Sequence, residues 1–299
     1  MPIPTHDPII VAPMPTPFDD GDAVDYGAIE ANVARWLDTR LSGFVLNSEN
    51  GEEAFLSETE RLEILRTVNR VRSGKKFIVA GVDNPSVTET LRLIDLFAVA
   101  GAELVRVRIP RLTSNVAEYF EQLIPRAAAP VVIIHQMAPG TFLAAATAPG
   151  APAEMIGDWV AMENCFGYIA SDNLRFEARV RTLVPEEKGF WAPNGSLILP
   201  CTALGANGAC LMLGNVLPQA CADIVRLIGE RKLAEAQAIH ARIVEADWQI
   251  LSRGAAGVKA ALELLGFHMG PQRSPNPPCD VQAVAQSAAA LRTAGLKVD

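Results

Sequence analysis

Residues 77 to 103 read FIVAGVDNPSVTETLRLIDLFAVAGAE. The stretch divides into three parts of different chemistry. Phe77–Val82 is nearly continuously apolar, as a parallel strand covered on both faces must be. Asp83-Asn84-Pro85 breaks that run. Ser86-Val-Thr-Glu89 then has capping-box spacing, with Leu93, Leu96 and Phe97 on one helical face behind it and Gly101 as a stop. A second apolar run, Leu104–Pro110, follows at once. Strand, turn, helix and next strand in this order make one βα unit.

The same unit recurs on both sides. Further strand candidates are Ile9–Met14, Gly43–Ser48, Val131–Gln136, Cys165–Ser171, Phe190–Pro193 and Ala209–Leu213. Their starts lie roughly 20–35 residues apart, the length of a βα repeat. Ser57-Glu-Thr-Glu60 is another capping box, with Leu62, Leu65, Val68 and Val71 behind it. Asp172 or Asn173 caps a helix through Arg175–Leu183, and Ser196 caps the next. Crossovers of this kind are right-handed, and eight of them favour a closed (β/α)8 barrel of the α/β class over an open sheet. From Gly229 onward the pattern is helical only: Lys232–Leu251, Gly257–Leu265 and Val281–Ala294. The expected organisation is a barrel over residues 1–230 and a C-terminal helical extension over 231–299. Phe142–Pro152 reads as a loop.

Of the 299 residues, 49% are hydrophobic and 20% charged, enough apolar surface for a large core. The formal net charge of −8 and the lack of a basic cluster argue against nucleic acid or an anionic membrane as a partner. No secretory signal or membrane span is evident. Five scattered cysteines without a CxxC pair suit reduced thiols in the cytoplasm. Gly205-Ala-Asn-Gly208 is a turn rather than a phosphate loop, and without a dinucleotide fingerprint no cofactor is expected.

In such a barrel the chemistry belongs at the C-terminal ends of the strands. Strand two runs into Asn47-Ser48-Glu49-Asn50-Gly51-Glu52-Glu53. Strand four carries Arg106 and Arg108 on one face. Strand five leads to His135-Gln136-Met137, strand six to Ser171-Asp172 and strand eight to Gly214-Asn215. The two arginines need anionic partners, either a ligand or acids from neighbouring strands.

Several stretches are similar to the dihydrodipicolinate synthase / N-acetylneuraminate lyase family of class I aldolases: APMPTPFDDGDAVDY, GFVLNSENGEEAFLSETER, the stretch 77–103, LPCTALGANGACLMLGNVLP and VKAALELLGFHMGPQRSP. The resemblance covers almost the whole chain. It implies a lysine Schiff base at the end of strand six, a proton-shuttling tyrosine ending strand five, paired hydroxyls in the loop after strand two, and a homo-oligomer, dimer or tetramer. The matched positions differ. In NCFGYIASDN (164–173) the lysine position is Ile169. The tyrosine position becomes His135, the hydroxyl pair Glu49-Asn50, the aromatic pair after strand four Arg111-Leu112, and the arginine after strand five Thr141.

Isoleucine cannot act as a nucleophile. The lysines at 75, 76 and 188 precede strands, and those at 232, 259 and 297 lie in the extension or tail, so none is expected at the pocket. The resemblance implies a lyase- or hydratase-type enzyme on a small carboxylated substrate, a 2-oxo acid or sugar acid; the residues themselves supply an acid/base group and no Schiff-base lysine. His135 is the candidate acid/base, matched to neutral pH, with Glu49 a second catalytic candidate. Ser48, Asn50, Arg108, Ile169, Ser171 and Asn215 are the candidate substrate contacts. Two other readings stand beside this one: a catalytically silent ligand-binding barrel, and metal-assisted chemistry on Glu49 and His135 with Asp172. A Ser48/His135/Asp172 triad lacks a nucleophile-elbow motif.

Overall fold

The structure is a computed structural model that describes residues 8–110, 115–134 and 151–298. Its parallel strands are β1 (Ile9–Pro13), β2 (Gly43–Leu46), β3 (Phe77–Val82), β4 (Leu104–Arg108), β5 (Val131–Ile134), β6 (Cys165–Ile169), β7 (Gly189–Ala192) and β8 (Gly208–Cys210). They pair in sequence order, and β8 returns to β1, Ile9 facing Gly208 and Val11 facing Cys210, so the barrel is closed. Each was legible as an apolar run. The expected strand ends at Ser48, Ser171 and Leu213 lie beyond the observed pairing, which stops where the chain turns into the loops of the mouth.

The strands are apolar on both faces because both are buried. Side chains alternate across a strand, and the core is accordingly double. Val11, Val45, Val79, Val132, Ile134, Ile169, Trp191 and Cys210 belong to a cluster that fills the barrel interior. Ile10, Phe44, Ile78, Val105, Val107, Ile133 and Tyr168 face the helices in a separate, larger cluster.

The helices of the repeat are α1 (Tyr26–Trp36), α2 (Glu58–Arg72), α3 (Val87–Ala100), α4 (Val116–Leu123), α5 (Ala153–Ala161), α6 (Leu174–Arg181), α7 (Ile198–Ala203) and α8 (Pro218–Gly229). Ser57 and Glu60 form the full capping box of α2, and Ser86 accepts from Glu89 N at the start of α3. Asn173, not Asp172, caps α6 by accepting from Phe176 N. Ser196 does not cap α7; Leu197 stands at that position without a side-chain cap. The reason lies 51 residues away, where Asp247 Oδ2 accepts from Ser196 N and Ser196 Oγ, each at 2.7 Å, and Asp247 Oδ1 from Gly195 N at 2.9 Å.

Asp247 belongs to the extension, which comprises α9 (Leu233–Leu251), α10 (Gly254–Glu263) and α11 (Val281–Thr293). The extension is packed onto the barrel repeat. Asn32 on α1 exchanges two hydrogen bonds with the His268 backbone, and Lys259 on α10 pairs with Glu52 in the loop after β2. No described helix is long and apolar enough to cross a membrane.

Candidate active site at the barrel mouth

The loop after β2 is tightly wound. Asn47 (φ 54°) and Glu52 (φ 59°) both adopt the left-handed conformation, which costs a non-glycine residue about 1 kcal/mol or more. Short 3-10 turns at Glu49–Gly51 and Glu53–Phe55 separate the acids of this loop. Glu52 points back into the protein, where its carboxylate meets Lys259 Nζ at 2.7 Å and Arg273 N at 3.2 Å. Glu49 and Glu53 point toward β4.

There they meet the two arginines. Arg106 Nη2 lies 2.9 Å from Asp83 Oδ2 and 3.4 Å from Glu53 Oε2. Arg108 Nη2 lies 3.3 Å from Glu49 Oε2, 3.3 Å from Asp83 Oδ2 and 3.8 Å from Glu53 Oε1. Asp83, which follows β3, also accepts from the Arg108 backbone N–H. Gly81 makes room for this contact: a Cβ there would stand 1.9 Å from Asn47 O and 2.6 Å from Arg106 Nη2. The partners of Arg106 and Arg108 are therefore protein carboxylates, one of the two alternatives open from the sequence.

Three acids share two arginines, and burial sets their protonation. Burial pushes the Glu53 carboxyl up, Arg106 opposes it, and Asp83 adds a like charge and a hydrogen bond, leaving Glu53 at about 8. Burial would raise Asp83 too, but Arg106 and Arg108 outweigh it and hold Asp83 below its ordinary value. Arg106 is wholly buried, yet Asp83 and Glu53 keep it charged. Polar atoms without a partner among the described residues gather in this region: Arg106 Nε, Arg108 Nε, Ser48 Oγ and both ends of the Asn47 amide.

A cavity of about 740 Å³ opens beside this cluster. Glu49, Glu53 and Arg108 form one wall, while Arg253, Gln272 and Asp280 come from the extension. Arg253 donates to neutral oxygens of Gln249 and Gln286. No sequence signal marked the extension as a pocket wall, because its contacts with the barrel mouth are separated by some two hundred residues.

The remaining candidates fall out differently. Ile169 is 1% exposed and packed among Ile134, Trp191 and other interior side chains, so it offers a ligand no surface. The Ser171 hydroxyl is not free to contact a substrate: it donates to Glu177 Oε1 at 2.5 Å, on the α6 side. Asn215 Nδ2 is likewise used to hold Pro13 O and Met212 O. Asp172 accepts from Asn194 Nδ2 at 2.7 Å. Asn50 is half-buried beside Glu49. His135, Arg111, Leu112 and Thr141 lie outside the described residues, as does most of the expected loop 142–152. Among the described residues no group of three His, Cys, Asp or Glu side chains is placed to hold a metal ion.

All six lysines are in view. Lys76 and Lys188 donate to backbone carbonyls at the N-terminal end of the barrel, the former to Thr39 and Leu41, the latter to Met162 and Cys165. Lys75 sits beside Lys76, Lys232 pairs with exposed Glu230, and Lys297 is exposed in the tail. Lys259 lies on α10 of the extension, as expected, and does not line the cavity: its amine is spent on Glu52, which does, and on Pro271 O.

A model of the dihydrodipicolinate synthetase family matches residues 8–294. The chain belongs to that family. Among its relatives is a 4-hydroxy-tetrahydrodipicolinate synthase of Corynebacterium aurimucosum, 27% identical, with 95% of this chain and 93% of that protein covered. Another is a probable mitochondrial 4-hydroxy-2-oxoglutarate aldolase of Emericella nidulans, 26% identical over 96% of this chain and 93% of that one. The fold is shared with dihydrodipicolinate synthase from Cyanidioschyzon merolae, crystallised with lysine bound (TM-score 0.87, 23% identity, 97% of this chain and 99% of that one). It is shared too with CdNal from Clostridium difficile, solved in complex with mannosamine (TM-score 0.82, 19% identity, 95% and 97% covered). The chain is thus a TIM-barrel protein of a lyase and aldolase family.

Proposed function

We propose that this protein is a lyase- or hydratase-type enzyme that acts on a small carboxylated substrate, a 2-oxo acid or sugar acid, by acid–base chemistry without a lysine Schiff base. The observation that carries this reading is the contrast within one barrel mouth. The strand-six position matched to the family lysine is an isoleucine sealed in the apolar interior, while β3, β4 and the loop after β2 bring three acids and two arginines together.

Arg108 is the group suited to a substrate carboxylate. Its partner Glu49 is 68% exposed and can turn into water when a ligand carboxylate replaces it, so the exchange leaves no buried charge unpaired. Ser48 and Asn50 flank that position, and His135, the residue after Ile134 in the sequence, supplies an imidazole, a side chain suited to acid/base work. The names of the relatives support the substrate class, since 2-oxo acids appear among them. By the same likeness the enzyme is a cytoplasmic homo-oligomer.

The test is a thermal-shift screen of the purified protein against 2-oxo acids, aldonic acids and sugar acids. Binding to the folded state raises the melting temperature, by an amount set by ligand concentration over Kd. The proposal expects a shift with at least one carboxylated compound, abolished in Arg108→Met. No shift from any acid in the panel would overturn it.

A further inference from the structure

We propose that Glu53 and Asp83 act as one proton-sharing carboxyl pair and form the general acid of this pocket. The inference rests on the proposed function and names a second catalytic group for the same site.

The geometry brings the two carboxyls together from different elements. Glu53 comes from the second 3-10 turn after β2, and Asp83 from the end of β3. Both reach the same nitrogen of Arg106, at 3.4 and 2.9 Å, and the same nitrogen of Arg108, at 3.8 and 3.3 Å. With Glu49 also on Arg108, three acids stand on two guanidinium groups, so a single proton shared within the Glu53–Asp83 pair balances the charge of the cluster.

The neighbours decide which acid holds the proton. Asp83 takes the closest arginine contact and the Arg108 backbone N–H, so it is the ionised member. Glu53 has the longer contacts and lines the cavity, so it carries the proton toward the ligand. The other groups around the pair are Glu49 on Arg108, the Tyr119 hydroxyl of α4 and the Cys210 thiol of β8 facing Arg106. Burial pushes Tyr119 up to about 12, and burial also pushes Cys210 up to about 12, so both stay neutral around pH 8. Burial, first of all, leaves the Glu53 carboxyl at about 8, where an acid can both hold and release a proton near neutral pH.

In a hydratase-type step the atoms balance without any oxidant or reductant. The base takes a proton from the carbon next to the substrate carboxyl or carbonyl. The C–H electron pair becomes the new C=C bond as the neighbouring C–O bond breaks. The Glu53 proton joins the departing hydroxyl, which leaves as water; with pyruvate, which has no such hydroxyl, the same proton goes to the keto oxygen as the methyl proton leaves, giving the enol. The new Glu53 carboxylate is matched by Arg106 and Arg108 until water returns the proton.

The experiment uses full-length protein with labelled glutamate carboxyl carbons. Carbon-13 NMR should show one glutamate titrating near pH 8, absent in Glu53→Gln and displaced toward the ordinary carboxylate range in Asp83→Asn, where the like charge is gone. In parallel, pyruvate in D2O serves as the probe for proton exchange at its methyl carbon, followed by proton NMR across pH. Glu53→Gln should keep the pyruvate-induced rise in melting temperature and lose exchange by roughly 100-fold or more, the usual weight of a general acid. Glu53 titrating below about pH 6, as an unperturbed glutamate does, overturns the pair whatever the substrate is. Exchange at the wild-type rate in Glu53→Gln, or pyruvate binding without exchange by the wild type, overturns the catalytic role and leaves the proposed function standing. If no acid of the screening panel binds, the function fails and the catalytic use of the pair fails with it.

Discussion

Lys259 is the lysine whose removal reports most on how the mouth is built. Its side chain is 2% exposed, and its amine meets a Glu52 side chain that is 3% exposed, at 2.7 Å. Pro271 O accepts a second bond at 2.8 Å, and the Phe18 ring lies 4.5 Å beneath the ammonium. Replacing Lys259 with methionine keeps the volume but strands a buried carboxylate, for which the expected cost is about 3–5 kcal/mol. Replacing Glu52 as well, in Lys259→Met/Glu52→Gln, removes both charges and should recover most of that loss. The coupling between the two sites should reach about 2 kcal/mol or more, as for residues in direct contact. The assay is thermal and chemical unfolding of the two single variants and the double variant. A single-variant loss below about 1 kcal/mol, or a double variant no better than Lys259→Met, would refute the claim that this pair anchors the extension to the mouth.

Three further outcomes follow from the same contacts. Asp247→Ala should cost about 2–4 kcal/mol by leaving the Gly195 and Ser196 N–H groups without their acceptor, measurable by chemical unfolding. Glu177 is fully buried; burial raises it first of all, Asp172 adds to this, and Ser171 and Tyr168 oppose it, leaving it at about 7. Because the folded protein binds this proton more tightly than the unfolded chain, the contribution is complete below about pH 4.5 and lost as pH rises through 7. Glu177→Gln should therefore flatten the stability–pH curve by up to about 3 kcal/mol over that window. Gly81→Ala should lower the yield of folded protein or the melting temperature sharply, because the added methyl meets the Asn47 carbonyl and Arg106.

The barrel could be read from sequence because its signals are local. Phe77–Val82 is apolar on both faces, and Ser57 and Glu60 cap α2 across three residues. The parity of Arg106 and Arg108 was equally local, and it announced a need for anions. What supplies those anions depends on two other elements, Glu53 after β2 and Asp83 after β3, and no spacing rule links them. Ser196 looked like a helix cap because its own neighbourhood permits one; the competing acceptor, Asp247, is brought in by α9. Lys259 and Glu52 are separated by 207 positions, so their pairing belongs to the closed fold and not to either segment. Ser171 shows the same limit at short range: its position just after β6 was right, but its hydroxyl is claimed by Glu177, six residues onward on α6.

Borohydride trapping with pyruvate decides whether the chemistry runs without a lysine Schiff base. The protein is incubated with pyruvate, reduced, and weighed intact by mass spectrometry. The expected result is the unmodified mass at every pH tried, because Ile169 cannot form an imine and the Lys259 amine is bound to Glu52. A stable pyruvyl adduct, mapped to any of the six lysines, would contradict it.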